Sequence, residues 1–196
     1  MTITDICNLA LSHLGVGTIR DVHEETETAR ACKLYYDATR RMLLREYPWG
    51  FARRVERLAK MPGKQFPAHK NVYMYPELCL YIYRLTDGTP TPDERPQFEV
   101  FNLDNSTKVI ATDIDDAWAD YVYDVTDPDV WDAVFLEAMT RKLAADLCMR
   151  LVGNQGLFEQ QFNLYRAALD MAMTQVAKER QRDPQPLNRY SNARWR

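Results

Sequence analysis

A chain of 196 residues is long enough for one sizeable core or a core with an added lobe, and 46% hydrophobic with 27% charged residues excludes wholesale disorder. The formal net charge of -3 gives no global case for nucleic-acid binding. No apolar run approaches the roughly 20 residues of a membrane span, and an N-terminus with Asp5 and no basic segment does not suit a secretory leader. Cys7, Cys32, Cys79 and Cys148 lie far apart among apolar neighbours, with no C-x-x-C pair. They read as reduced, buried thiols of a protein made in the cytoplasm.

In chain order, Thr4 and Asp5 are placed to cap a first helix that sends Ile6, Leu9, Ala10, His13 and Leu14 to the core; Gly15 and Gly17 stop it. Gly15-Val16-Gly17 lacks the preceding strand and third glycine of a dinucleotide-binding turn. A second helix from about Thr28 places Ala29, Cys32, Tyr36, Thr39, Leu43 and Tyr47 at three- and four-residue spacing and ends at Pro48. From Phe51 to Lys60 basic and apolar residues alternate in a way that suits a strand as well as a short helix. After the break at Pro62-Gly63, short strands are expected at 72–76, 79–85, 97–101, 108–112 and 120–125. Asp87-Gly88, the proline-rich stretch from Pro90 to Pro96, and Asp104-Asn105 supply the turns, which argues for a small antiparallel sheet.

A long helix is then expected from Asp127-Pro128, with Pro128 in its first turn, Asp127 as cap, and Asp129 and Asp132 at the positive end of its dipole. Leu136, Met139, Leu143, Leu147 and Leu151 form one stripe, flanked by Ala138, Ala144, Ala145 and Cys148, small enough for a neighbouring helix to come close. Past the turn at Gly153–Gly156, a last helix lines up Phe158, Phe162, Tyr165, Leu169, Ala172 and Val176, and should run antiparallel to the one before it. The expected fold is α+β and mainly helical: a four-helix bundle with a small antiparallel β-rich domain inserted between the second and third long helices. The divisions are 1–62 and 127–180 for the bundle, 63–126 for the β-rich domain, and 181–196 for an extended C-terminal tail.

Three passages resemble one known family, the head-to-tail adaptors of tailed, especially short-tailed, bacteriophages, called tail tubular protein A in the latter. They are Leu9-Ala10-Leu11 and Leu14-Gly15 with Ala29, Tyr35-Tyr36-Asp37 and Arg40-Arg41-Met42-Leu43-Leu44; then Tyr47-Pro48-Trp49-Gly50-Phe51-Ala52; then 121–129 with Phe135-Leu136-Glu137-Ala138 and 142–147. From Gly63 to Thr112 the match is in strand pattern and in few residues. The resemblance implies a bundle interrupted by a β-rich domain, assembled as a ring, usually a dodecamer, under the portal of the virion. Such a ring continues the channel through which double-stranded DNA passes. The sheets would face the tail nozzle, and the helices and C-terminal tail would face the portal.

Charge is distributed unevenly. Asp113, Asp115, Asp116 and Asp120 begin an acidic run that continues to Asp132, with no lysine or arginine between Lys108 and Arg141. Asp113-x-Asp115 starts like a calcium loop, but the sixth-position glycine and closing glutamate are missing. The run reads as a solvated acidic surface or, in a ring, as a channel rim or interface; a negative wall repels phosphates and lets DNA slide. Arg40, Arg41, Arg45, Arg53 and Arg54, continuing to Arg57 and Lys60, are the best nucleic-acid signal in the chain. Interrupted by Glu46 and Glu56, they suit a solvated face or inter-subunit ion pairs better than a phosphate-binding stripe. The tail carries Arg182, Arg189, Tyr190, Arg194, Trp195 and Arg196, either as a loose terminus or as a segment ordered on binding the portal.

Catalysis finds little footing. His13, His23 and His69 are scattered, no serine sits in a G-x-S-x-G elbow, and no phosphate-binding loop occurs. No catalytic residue, metal or cofactor is expected. The rival from another class is a soluble helical DNA-binding or regulatory protein using the basic second helix and the tail.

Overall fold

The computed structural model describes residues 1–64, 66–88 and 97–179. These form α1 (Ile3–Leu14), α2 (Glu27–Glu46), β1 (Arg53–Arg57), β2 (Asn71–Met74), β3 (Cys79–Thr86), β4 (Phe98–Asn102), β5 (Lys108–Thr112), β6 (Trp118–Tyr123), α3 (Ala133–Leu151) and α4 (Gln155–Glu179). Short 3-10 helices, Gly50–Ala52 and Pro128–Val130, flank the strands on either side. The class is α+β. No helix among the described residues is long and apolar enough to cross a membrane.

The cap of α1 lies earlier than Thr4. Thr2 accepts a hydrogen bond from the Asp5 N–H at 3.1 Å, and the Asp5 carboxylate accepts one from the Thr2 N–H at 2.8 Å, a reciprocal capping box. Thr4 instead accepts from the Val22 N–H, tying the following loop to the helix. The buried face is Ile6, Cys7, Ala10, Leu11 and Leu14, so Leu9 points outward, 41% exposed, and Leu11 takes its expected place in the core. Gly15, at φ 69°, closes the helix by donating to the carbonyls of Leu11 and Ser12. After β6, Asp127 caps only the 3-10 turn containing Pro128, and α3 starts after Asp132. Trp131 separates the two: its backbone is extended and its ring packs edge-on against Phe135 at 5.0 Å.

Helix α3 is the hub, packing on α1, α2 and α4. Its buried residues run almost all round it, from Phe135, Ala138 and Met139 to Leu143, Ala144, Leu147 and Cys148. A helix apolar on every side belongs in a core, and its alanines allow close approach. Tyr165, Ala168, Ala172 and Val176 of α4 complete the cluster. Trp49, fully buried and donating from Nε1 to the Leu43 carbonyl at 3.0 Å, stacks edge-on with Phe135 where the chain leaves α2.

The strands make two antiparallel three-stranded sheets where the turn spacing suggested one, ordered β1–β6–β3 and β2–β5–β4. The ambiguous stretch after Phe51 is the strand β1, with Arg53 opposite Val122 and Arg57 opposite Trp118. Alternation then divides β6 between two cores. Ala119 and Tyr121 pack with Tyr73, Leu85 and Ile110 between the sheets, while Val122 joins the helical core.

Burial raises the phenols of Tyr36, Tyr121 and Tyr165 above their ordinary value, Tyr121 to about 12; the Tyr165 hydroxyl also donates to Glu46. A raised folded value contributes stability that is fully present below the unfolded value near 10 and is lost as pH rises toward the folded one. Unfolding free energy measured in urea should therefore hold to about pH 10 and then fall by about 1.4 kcal/mol per pH unit for each such tyrosine. A flat profile to about pH 11.5 contradicts this.

Candidate functional site

The sites expected from charge converge on β6 and its neighbours. Asp120 lies on the central strand, fully buried, opposite Val55 on one side and Arg84 on the other. Directly opposed residues share a face, and Arg53, two residues before Val55, shares it too. Arg53 accordingly donates to Asp120 from Nε at 2.6 Å and also from Nη2, while Arg84 Nε donates at 2.9 Å. The Asp120 hydrogen bond raises the pKa of the Arg53 guanidinium. Immediately after β6, buried Asp124 accepts from Arg40 Nη1 and from Arg41 Nε at 3.0 Å. Arg40, 1% exposed, also donates to the Val125 carbonyl at 2.8 Å and to Asp37.

These pairs correct part of the sequence reading. Acid from one segment meets base from another, but within one chain. Asp120 and Arg40 are buried and paired at home, so neither can line a channel or reach a neighbouring subunit, and Arg53 is committed to Asp120. Arg41 and Arg54 remain at the surface, Arg54 lying 3.4 Å over the Tyr123 ring; Arg45 donates to the Leu80 carbonyl.

Asp113, Asp115 and Asp116 do stand exposed, in the loop between β5 and β6. Asp113 accepts from the Lys70 N–H at 2.9 Å, which, together with nearby His69, holds its carboxyl below the ordinary carboxylate range. Asp115 accepts from Asn71 Nδ2 at 2.9 Å with Lys60 at 3.8 Å, and Asp116 pairs with Arg57. Arg182, Arg189, Tyr190, Arg194, Trp195 and Arg196 lie outside the described residues, as does the stretch from Pro90 to Pro96.

Among the described residues, no group of three or more His, Cys, Asp or Glu could hold a metal ion. Cys7, Cys32 and Cys148 are buried free thiols, and burial pushes the thiol of half-buried Cys79 up to about 11. Such a thiol is a poor nucleophile at neutral pH.

Sequence reasoning missed the open face around Asp120, where Val55, Tyr83 and Trp118 stay exposed beside Arg57 and Arg84. Strand alternation from Trp118 to Asp120 was the available signal, but the partner strands could not be read from it. No family model matches the chain, and no curated protein matches it.

Proposed function

We propose that the chain is a head-to-tail adaptor of a tailed-phage virion, a non-enzymatic structural protein. In this reading copies of it form a ring, a dodecamer as is usual for the family it resembles, between the portal and the tail nozzle. Double-stranded DNA passes through without being held. The four helices form the bundle, and the two sheets form a domain inserted between α2 and α3.

One observation supports this most: the chain leaves the helices and returns to them on adjacent antiparallel strands, β1 and β6, with Arg53 opposite Val122. Entry and exit side by side suit an insertion, and in this reading it begins at β1, at residue 53 in place of 63. Exposed Asp113, Asp115 and Asp116 are the proposed channel wall, and Arg41, Arg45 and Arg54 the proposed inter-subunit basic residues. The tail, with Arg182, Arg189, Tyr190, Arg194, Trp195 and Arg196, is the proposed portal anchor. Internal pairing of Arg40 and Arg53 removes two cations from the DNA-binding alternative.

Deleting residues 188–196 should abolish binding to the portal while leaving the fold and ring assembly intact, as read by co-sedimentation and circular dichroism. Undiminished binding would count against the anchor. Changing Asp113, Asp115 and Asp116 together to asparagine should impair DNA retention or passage in assembled particles without changing ring formation.

A further inference from the structure

The face of the β1–β6–β3 sheet that carries Asp120 is only partly covered. Val122 on that face joins the helical core, whereas Val55, Tyr83 and Trp118 stay 55%, 41% and 38% exposed. Arg57 lies opposite Trp118, and Arg57 and Arg84 are both more than half exposed. The carboxylate beneath fixes Arg53 and Arg84 in place before any partner arrives, which lowers the ordering cost of binding. Tryptophan, tyrosine and arginine gathered round an apolar centre are the composition of a protein-binding hot spot. Nucleic acid fits less well, because Arg53, Arg57 and Arg84 are offset by Asp116 and Asp120, leaving little charge to follow a phosphate backbone.

A complementary surface lies on α1, which packs on α3 rather than on the sheets. Met1, Asp5, Asn8, Leu9 and Ser12 line an open hollow there. Met1 and Leu9 are 50% and 41% exposed, and Val130, which follows Met1's partner Asp129 in the chain, is 52% exposed. Asp129 pairs with the Met1 ammonium, and Asp5 and Asp127 act on the same cation, so the carboxylates outnumber the positive charge.

We infer that the open face of the β1–β6–β3 sheet docks onto the α1 hollow of a second copy of this chain. Val55 and Trp118 meet Met1, Leu9 and Val130, and Arg57 and Arg84 meet Asp5, Asp127 and Asp129. The outward N–H groups of each guanidinium remain for the partner, since each carries five donors. Two different patches make a heterologous contact, which repeats head to tail and closes into a ring when the rotation permits. This deepens the adaptor reading and rests on it for the ring.

The test uses the full chain, alone and with portal, in sedimentation velocity and negative-stain imaging. Val55→Glu blocks the sheet face, and Leu9→Lys with Val130→Lys blocks the hollow; Trp118→Ala replaces V55E should that variant melt early. Each blocked chain should self-associate at least about 30-fold more weakly than wild type with an unchanged melting profile. An equal mixture of the two should give heterodimers and nothing longer, because each supplies the patch that the other lacks. Wild-type association in the blocked chains overturns the inference, and if their rings still form on the portal the adaptor reading survives it. Association of the free wild type, lost in the variants but with no portal binding, supports the interface and counts against the adaptor reading. Wild type that associates in neither setting overturns the interface.

Discussion

Replacing Arg40 with methionine is expected to lower the unfolding free energy by about 3–5 kcal/mol, read from urea denaturation. The guanidinium is 1% exposed and joins α2 to the exit of β6 through Asp124 and the Val125 carbonyl. Methionine fills much of the volume but strands Asp124, itself 7% exposed, with only the partly solvated Arg41 for company. Removing Asp124 as well, by adding Asp124→Leu, should recover most of the loss, because two desolvated charges then leave together. A cost below about 1 kcal/mol for R40M would mean that the junction does not depend on this pair.

Asp120 leads to an asymmetric result. Replacing Arg53 with methionine should cost about 3 kcal/mol, since it leaves a fully buried carboxylate with Arg84 alone. Asp120→Leu should cost less, about 1 kcal/mol, because Arg53 and Arg84 are 27% and 56% exposed and can turn to water. Equal losses would show that the arginines are held by something other than Asp120. The same comparison bears on the docking surface: Asp120→Leu leaves the sheet paired but frees the two arginines that the carboxylate now positions.

The elements were readable because their signals are local. Short strand-like runs bounded by turn signals at 79–85 and 108–112 became β3 and β5, and the apolar stripe from Met139 to Leu147 became the buried side of α3. Boundaries that depend on geometry were less legible. Pro128 suits the first turn of a helix, and it does start one, but the extended backbone at Trp131 ends that turn before α3 begins. Thr2, two residues before the expected cap, makes the capping box, and packing on α3 selects the flank with Cys7 and Leu11 over the one with Leu9. Nor does the turn pattern say whether strands share a sheet; that depends on which faces find partners across the core.

The charges were the least legible part. A run of aspartates without an intervening cation reads as a surface because sequence shows only neighbours along the chain. Register changes the neighbours: β1 against β6 brings Arg53 to Asp120 across 67 residues, and α2 against the end of β6 brings Arg40 to Asp124 across 84. Asp120 and Asp124 lose the exposure that the run suggested, while Asp113, Asp115 and Asp116 before β6 and Asp127, Asp129 and Asp132 after it keep it. Val55 and Trp118, which a composition search passes over, become an accessible pair once the strands align.

The proposed ring on a portal is open to direct observation. Negative-stain imaging of the full-length protein mixed with purified portal of a short-tailed phage tests it most directly. Rings of added density are expected, coaxial with the portal, at the end from which the tail extends, even where the protein alone is a monomer. Portal particles that remain bare at saturating protein, with the chain instead binding double-stranded DNA in a steeply salt-dependent way, would contradict it.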